Sequence, residues 1–147
     1  MSRYFFPQLE EVQALAPYRL RTRWSTGETL EVDVADKLRA IPSLAPILTP
    51  AVFATAHLAE GGGSVEWFDT EFGADNLYAW AKEQAGQVSH EQFDAWMRRH
   101  HLSLTTAAEA LGISRRMVSY YRTAQRPIPK TVWLACLGWD YLQHKAA

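Results

Sequence analysis

The stretch "LGISRRMVSYYRTAQRPIP", Leu111–Pro129, decides how the second half of the chain is read. Gly112 sits where a chain can turn sharply, because glycine reaches left-handed backbone angles without steric cost. Ser114 follows as a helix-capping side chain. Val118 and Tyr121 then fall on one face of a helix over 114–123. With those two held inward, 3.6-residue spacing points Arg115, Arg116, Ser119, Tyr120 and Thr123 outward. Upstream, Ser103 caps a short helix that ends at Leu111 and Gly112. Ala108 supplies the small residue that lets two helices cross closely, and Leu111 and Ile113 flank the turn as core. The order helix, tight turn, helix is that of a helix-turn-helix. Two cations at a helix start oppose the helix dipole, so their placement favours an anionic partner. The first turn of a recognition helix enters the major groove, where an arginine can bind both acceptors of a guanine edge.

The charge balance agrees with that reading. The 147 residues carry a formal net charge of −1. Residues 1–87 hold 7 Lys and Arg against 12 Asp and Glu, a net of −5, whereas residues 88–147 hold 8 against 4, a net of +4. Halves of opposite sign point to different partners.

The first half reads as strands. Tyr18, Leu20, Thr22 and Trp24 alternate with Arg19, Arg21 and Arg23, the period of a half-buried strand. Gly27 marks a turn, and Leu30, Val32 and Val34 alternate with Glu31 and Asp33. An antiparallel hairpin would set the arginines opposite carboxylates, which accounts for that arginine row without a nucleic acid. A second β region is expected over 52–58, turning at Gly61–Gly63 into the strand "SVEWFD". A phosphate-cradling glycine loop needs a helix directly after it. A strand follows here, so the glycines read as a hairpin loop. Asp75 is expected to cap a helix that places Leu77, Trp80, Ala81 and Gln84 on one face. Gly86 stops that helix, and Ser89 caps the next, which runs over 90–101 with Phe93, Trp96, Met97 and His100 on one face. The domain boundary is therefore placed between 87 and 88. Pro129 opens a last helix running through Tyr141. Its apolar residues, from Val132 to Leu142, occupy nearly all faces, so it is expected to be buried by its own core, by the first domain or by a second copy.

The segment 103–129, "SLTTAAEALGISRRMVSYYRTAQRPIP", resembles the lambda-repressor-like (XRE-type) helix-turn-helix of bacterial regulators, over roughly 90–142. The resemblance makes Ala108, Gly112 and Val118 packing residues. It implies base contacts from Arg115, Arg116, Ser119 and Tyr120, and phosphate contacts from Ser103, Gln125 and Arg126, with Arg122 a further cation on the backbone. The family often has glutamine where this chain has Leu104. It often has glutamate, then glycine, where this chain has Arg122 and Ala124. The segments "YRLRTRWSTGETLEVDV", "PAVFATAHL" and "VEWFDTEFGADNLYAWA" resemble a bacterial α+β family, domain of unknown function 2442, over roughly 4–84. That resemblance implies core roles for Phe53, Trp67, Leu77 and Tyr78 and no catalytic residue. It also implies company with toxin-like partners or a fused helix-turn-helix.

Other chemistries find little in the chain. His57, His90, His100, His101 and His144 show no paired metal-ligand spacing. No nucleophile and base stand at suggestive spacing. The single cysteine, Cys136, excludes an intrachain disulfide and lies in apolar surroundings. Asp69, Glu71 and Asp75 read as a solvated loop. Tyr4, Phe5 and Phe6 are cut off by Pro7 and do not form a secretory signal. No apolar run is long enough to span a membrane. The expectation is an α+β chain: an acidic α+β domain (1–87) with antiparallel hairpins, then an all-α helix-turn-helix domain (88–147). It would be a cytoplasmic, non-enzymatic regulator needing no cofactor and no metal. It would bind double-stranded DNA as a homodimer, with a protein partner available to the first domain. The alternative is an antitoxin-like interaction module in which DNA binding is secondary or lost.

Overall fold

The computed structural model describes residues 7–146; Tyr4, Phe5 and Phe6 lie outside them. The fold is mixed α+β, with antiparallel sheets first and helices after. The chain divides into two compact units, meeting in sequence between Ala85 and Gly86.

The first unit carries two three-stranded sheets. One joins β1 (Leu9–Leu15), β2 (Arg19–Trp24) and β3 (Thr29–Asp33), all antiparallel. Leu20, Thr22 and Trp24 of β2 are fully buried, as their alternation demands. The buried Thr22 hydroxyl is satisfied, donating to the Leu30 carbonyl at 2.9 Å and accepting from the Trp24 indole at 2.8 Å. On the solvent face, Arg19 and Arg21 each lie 3.2 Å from Glu31, and Arg23 lies 2.7 Å from Glu10. The arginine row is thus neutralised by its neighbouring strands.

Between the sheets, the expected strand over 52–58 is mostly absent. Residues 35–53 form α1 (Ala35–Ala40), a 3-10 segment (Pro42–Leu48) and α2 (Pro50–Phe53), leaving only β4 (His57–Leu58) as strand. Pro42 and Pro50 each sit in a first helical turn, where the missing N–H costs nothing. β4 pairs with β5 (Ser64–Trp67), and β5 with β6 (Thr70–Gly73). The glycine run has a packing reason. A Cβ on Gly62 would fall 2.3 Å from the Leu9 carbonyl oxygen, so only glycine lets the turn pass β1.

α3 (Ala74–Gln84) closes this unit. Its cap position is Gly73, and Asp75 sits inside the first turn, accepting from the Asn76 amide instead. Its buried residues are Ala74, Leu77, Tyr78, Ala79, Ala81 and Lys82; Trp80 is half-buried and Gln84 exposed, one step round from the expected face. The Gln84 amide nevertheless binds both backbone groups of Asp33, at 2.8 and 2.9 Å. Lys82 and Tyr78 both donate to Glu28 at the β2–β3 turn. Burial alone would raise the Glu28 carboxyl. Hydrogen bonds from Lys82, Tyr78 and Thr26 outweigh burial and hold it below the ordinary glutamate range.

The second unit is helical: α4 (His90–Arg99), α5 (Leu104–Leu111), α6 (Arg115–Arg122) and α7 (Lys130–Ala146). α4 ends two residues earlier than its periodicity suggests, and α7 runs five residues beyond Tyr141. Phe93, Trp96, Met97, Ala107, Ala108, Val118, Tyr121 and Cys136 form its core. α7 departs from expectation. Of its residues only Cys136 is buried, while Leu134, Leu137, Tyr141 and Leu142 are exposed.

Two outcomes follow. A depressed carboxyl stabilises the fold above its unfolded pKa, and that contribution disappears as pH falls through the folded value. Glu28→Gln should therefore be less stable at neutral pH and lose less Tm than the parent on acidification below the ordinary glutamate range. Parallel melting curves for the two proteins would refute the linkage. Gly86 and Gln87 are exposed between the units, with Gly86 at φ +81. Brief treatment with a protease of broad specificity should cut there first; earlier cuts within 18–34, with 85–92 intact, would show that the units do not open separately.

Candidate nucleic-acid interface

Three helices of the second unit end in one way. At α4, the Leu102 amide donates to the Met97 carbonyl at 2.9 Å and the His101 amide to Arg98 at 3.1 Å. At α5, Ile113 donates to Ala108 at 3.1 Å, and at α6, Gln125 donates to Tyr120 at 2.9 Å. This is the Schellman closure, which requires one left-handed residue. His101, Gly112 and Ala124 take that place, at φ 55, 71 and 62. Ala124 therefore adopts the backbone a glycine would, and the loop after α6 turns as a glycine loop does.

The helix starts are equally defined. Ser89, Ser103 and Ser114 each accept the backbone N–H three residues on, from Gln92, Thr106 and Met117, at 3.0–3.1 Å. Thr106 returns the bond at α5, its hydroxyl accepting the Ser103 amide at 2.8 Å. Ser103 is thus spent first on its own helix, whatever else it touches.

The turn between α5 and α6 presents α6 outward. Val118 is fully buried against the core with Tyr121, and Ala107 and Ala108 leave room for them. The outward positions are graded: Arg115 and Arg116 are exposed, while Ser119, Tyr120 and Thr123 are half-buried. Beyond the helix, Gln125 and Arg126 are exposed, and the Arg126 guanidinium stands 5.3 Å from the centre of the Tyr120 ring. Arg115, Arg116, Ser119 and Tyr120 thus share one helix, with Arg126 against its last turn.

Arg122 differs. Its Nε donates to Asp94 of α4 at 2.7 Å, and Asp94 also holds Arg98 at 3.2 Å. Asp140 of α7 binds the Trp96 indole at 2.8 Å, His100 at 2.6 Å and Arg99 at 3.1 Å. Sequence reasoning missed both aspartates. The Asp94–Arg98 pair is visible as an i,i+4 spacing, but links to Arg122 and from Asp140 to α4 join distant positions and leave no local signal. Burial, with Asp140 nearby, pushes the Cys136 thiol up to about 12, which makes it inert. Among the described residues, no group of three His, Cys, Asp or Glu could hold a metal ion, and no helix is long and apolar enough to cross a membrane.

A family model described as "Protein of unknown function (DUF2442)" matches residues 9–83. The chain belongs to that family. The match covers the two sheets and nearly all of α3, so this DUF2442 protein carries its four helices α4–α7 outside the matched region. A solved structure described as "Putative DNA Binding Protein NE0471 from Nitrosomonas europaea ATCC 19718" is similar along nearly the whole chain. It is 75% identical, with a TM-score of 0.91, over 95% of this chain and 90% of that one. No curated protein matches the chain.

The left-handed closures give a stability outcome. His101 is exposed and holds an angle that costs a residue with a side chain roughly 1–2 kcal/mol, against which glycine's extra flexibility offsets part. His101→Gly should raise the Tm of the helical unit by a few degrees in calorimetry; an unchanged or lower Tm would show that the histidine side chain itself is needed there.

Proposed function

We propose that this DUF2442 protein binds duplex DNA through a lambda-repressor-like helix-turn-helix made of α5 and α6, and acts as a transcriptional regulator. The observation that carries the reading is how the arginines of the helical unit are paired. Arg98 and Arg122 meet Asp94, and Arg99 meets Asp140. Arg115 and Arg116 are exposed at the start of α6, and neither forms an ion pair among the described residues. A cation kept at the positive end of a helix without a carboxylate is poorly placed for stability and well placed for an anion. The DNA-binding description of the similar solved structure supports the same reading.

In this reading α6 lies in the major groove, and Arg115 and Arg116 read base edges, with Ser119 and Tyr120 beside them. Gln125 and Arg126 meet phosphate from the following loop, and the Ser103 hydroxyl meets it from the start of α5. Arg122 spends its Nε on Asp94 and offers its outer nitrogens to the backbone. The protein has no enzymatic role, and its acidic first unit receives a protein partner. Two copies bind, one to each half-site.

The test separates base readers from phosphate binders. Arg115→Ala or Arg116→Ala should cost about 1–3 kcal/mol on the selected site and relax preference at one base position. Arg126→Ala should weaken selected and random duplexes alike and flatten the salt dependence by roughly one unit of slope. All three side chains are exposed, so circular dichroism should show unchanged folding. If both Arg115→Ala and Arg116→Ala leave affinity and preference untouched, α6 does not read DNA, and its face belongs to a protein partner instead.

A further inference from the structure

α7 has two apolar sides, and the core of its own unit covers one of them. Cys136 is fully buried, with Val132, Trp133 and Trp139 half-buried around it. On the other side Leu134, Leu137, Tyr141 and Leu142 are 53%, 44%, 61% and 60% exposed. Spacings of three, four and one residues put all four on one stripe. Six large apolar side chains are exposed among the described residues, and four of them lie here. Gly138 lies within the stripe, and a Cβ there would meet nothing within 4 Å.

We propose that this stripe is the contact between two copies of the chain, with their α7 helices packed antiparallel about a two-fold axis at Gly138. Its size suits that occupant. The four exposed side chains present on the order of 400 Å², within the range of a monomer's largest functional patch. Two such patches with their polar rims reach roughly 1,200 Å², the lower edge of a stable interface. One pair of the stripe is self-complementary. Antiparallel pairing centred on Gly138 sets Leu134 of one copy against Leu142 of the other, with the closest approach at the residue that has no side chain. Antiparallel packing opposes the two helix dipoles, and that selects the direction. The proposal deepens the DNA reading by giving it a two-fold partner, since paired half-sites require a symmetric dimer.

The test uses the full chain without DNA. Sedimentation at tens of micromolar should give about twice the 16.7 kDa chain mass. Leu134→Glu and Leu142→Glu, each at an exposed position, should give folded monomers. Under mild oxidation Gly138→Cys should form a covalent dimer at least tenfold faster than Lys130→Cys or Lys145→Cys, because a disulfide needs Cα atoms within about 7 Å. The native Cys136, fully buried, should give no background. A monomeric parent overturns the proposal, and so does a dimer that survives both glutamates. Equal or faster cross-linking at Lys130→Cys or Lys145→Cys overturns the antiparallel arrangement. The two readings fail separately. A dimer that ignores DNA counts against the DNA reading alone, and a monomer that binds one half-site counts against this interface alone.

Discussion

The helical unit depends on how closely α5 and α6 approach. Ala107 and Ala108 are both buried, and Val118 is seated against them with no exposure. A larger residue at either alanine would push α6 away, because interiors this dense accommodate even one extra methylene badly. The approach also needs a chain reversal within three residues, which left-handed Gly112 provides. Once both conditions hold, little freedom remains. Tyr121 must fall inward beside Val118, and Arg115 and Arg116 must fall outward. The candidate interface is therefore a consequence of packing on the opposite face of the same helix. Asp140 then fixes α7 to α4, accepting from the Trp96 indole, whose nitrogen would otherwise lack a partner in a poorly solvated place.

The two units use arginine in opposite ways. In β2 an arginine stands at every second position, and each finds a carboxylate on a neighbouring strand. Such exposed pairs contribute little energy individually, but they leave no unanswered positive field on that face. In the helical unit the aspartates are placed so that α4 and the end of α6 are neutralised while the start of α6 is not. The net charge of a segment, taken alone, separates the halves but not these cases. What distinguishes them is whether a carboxylate lies within reach, which depends on strand register and helix crossing.

That difference marks how much the sequence made legible. The β2–β3 hairpin, the three serine caps, Gly112, and the inward pair Val118 and Tyr121 could all be read, because each rests on local spacing. β1 could not. Its burial does not alternate cleanly, since a bulge between Leu9 and Glu11 shifts the register. The short helices over 35–53 were illegible for another reason. Each is too brief to show a helical period, and an apolar run such as "PAVFATAHL" satisfies strand and helix alike. At the candidate site, the outward residues were legible from periodicity. The engagement of Arg122 with Asp94 was not, because it is a contact across 28 residues. Ala124 is the instructive case. It stands where the resembled family often has glycine. The backbone nevertheless turns left-handed there, at φ 62, because closing α6 with the Gln125–Tyr120 bond is compatible with no other angle.

α7 shows where periodicity misleads in the other direction. A helix with apolar residues on nearly every face is expected to be buried, and within one chain this one is not. Its inner side is specified by Cys136 and flanking aromatic residues against a finite core, and that core is filled by α4, α5 and α6. The outer side obeys a separate rule. Leu134 and Leu142 there stand four residues to either side of Gly138, and the charged residues of that side, Lys130 and Lys145, lie at its ends. The pattern that looked like excess hydrophobicity is thus two patterns superposed, one packed on the chain's own core and one open to solvent.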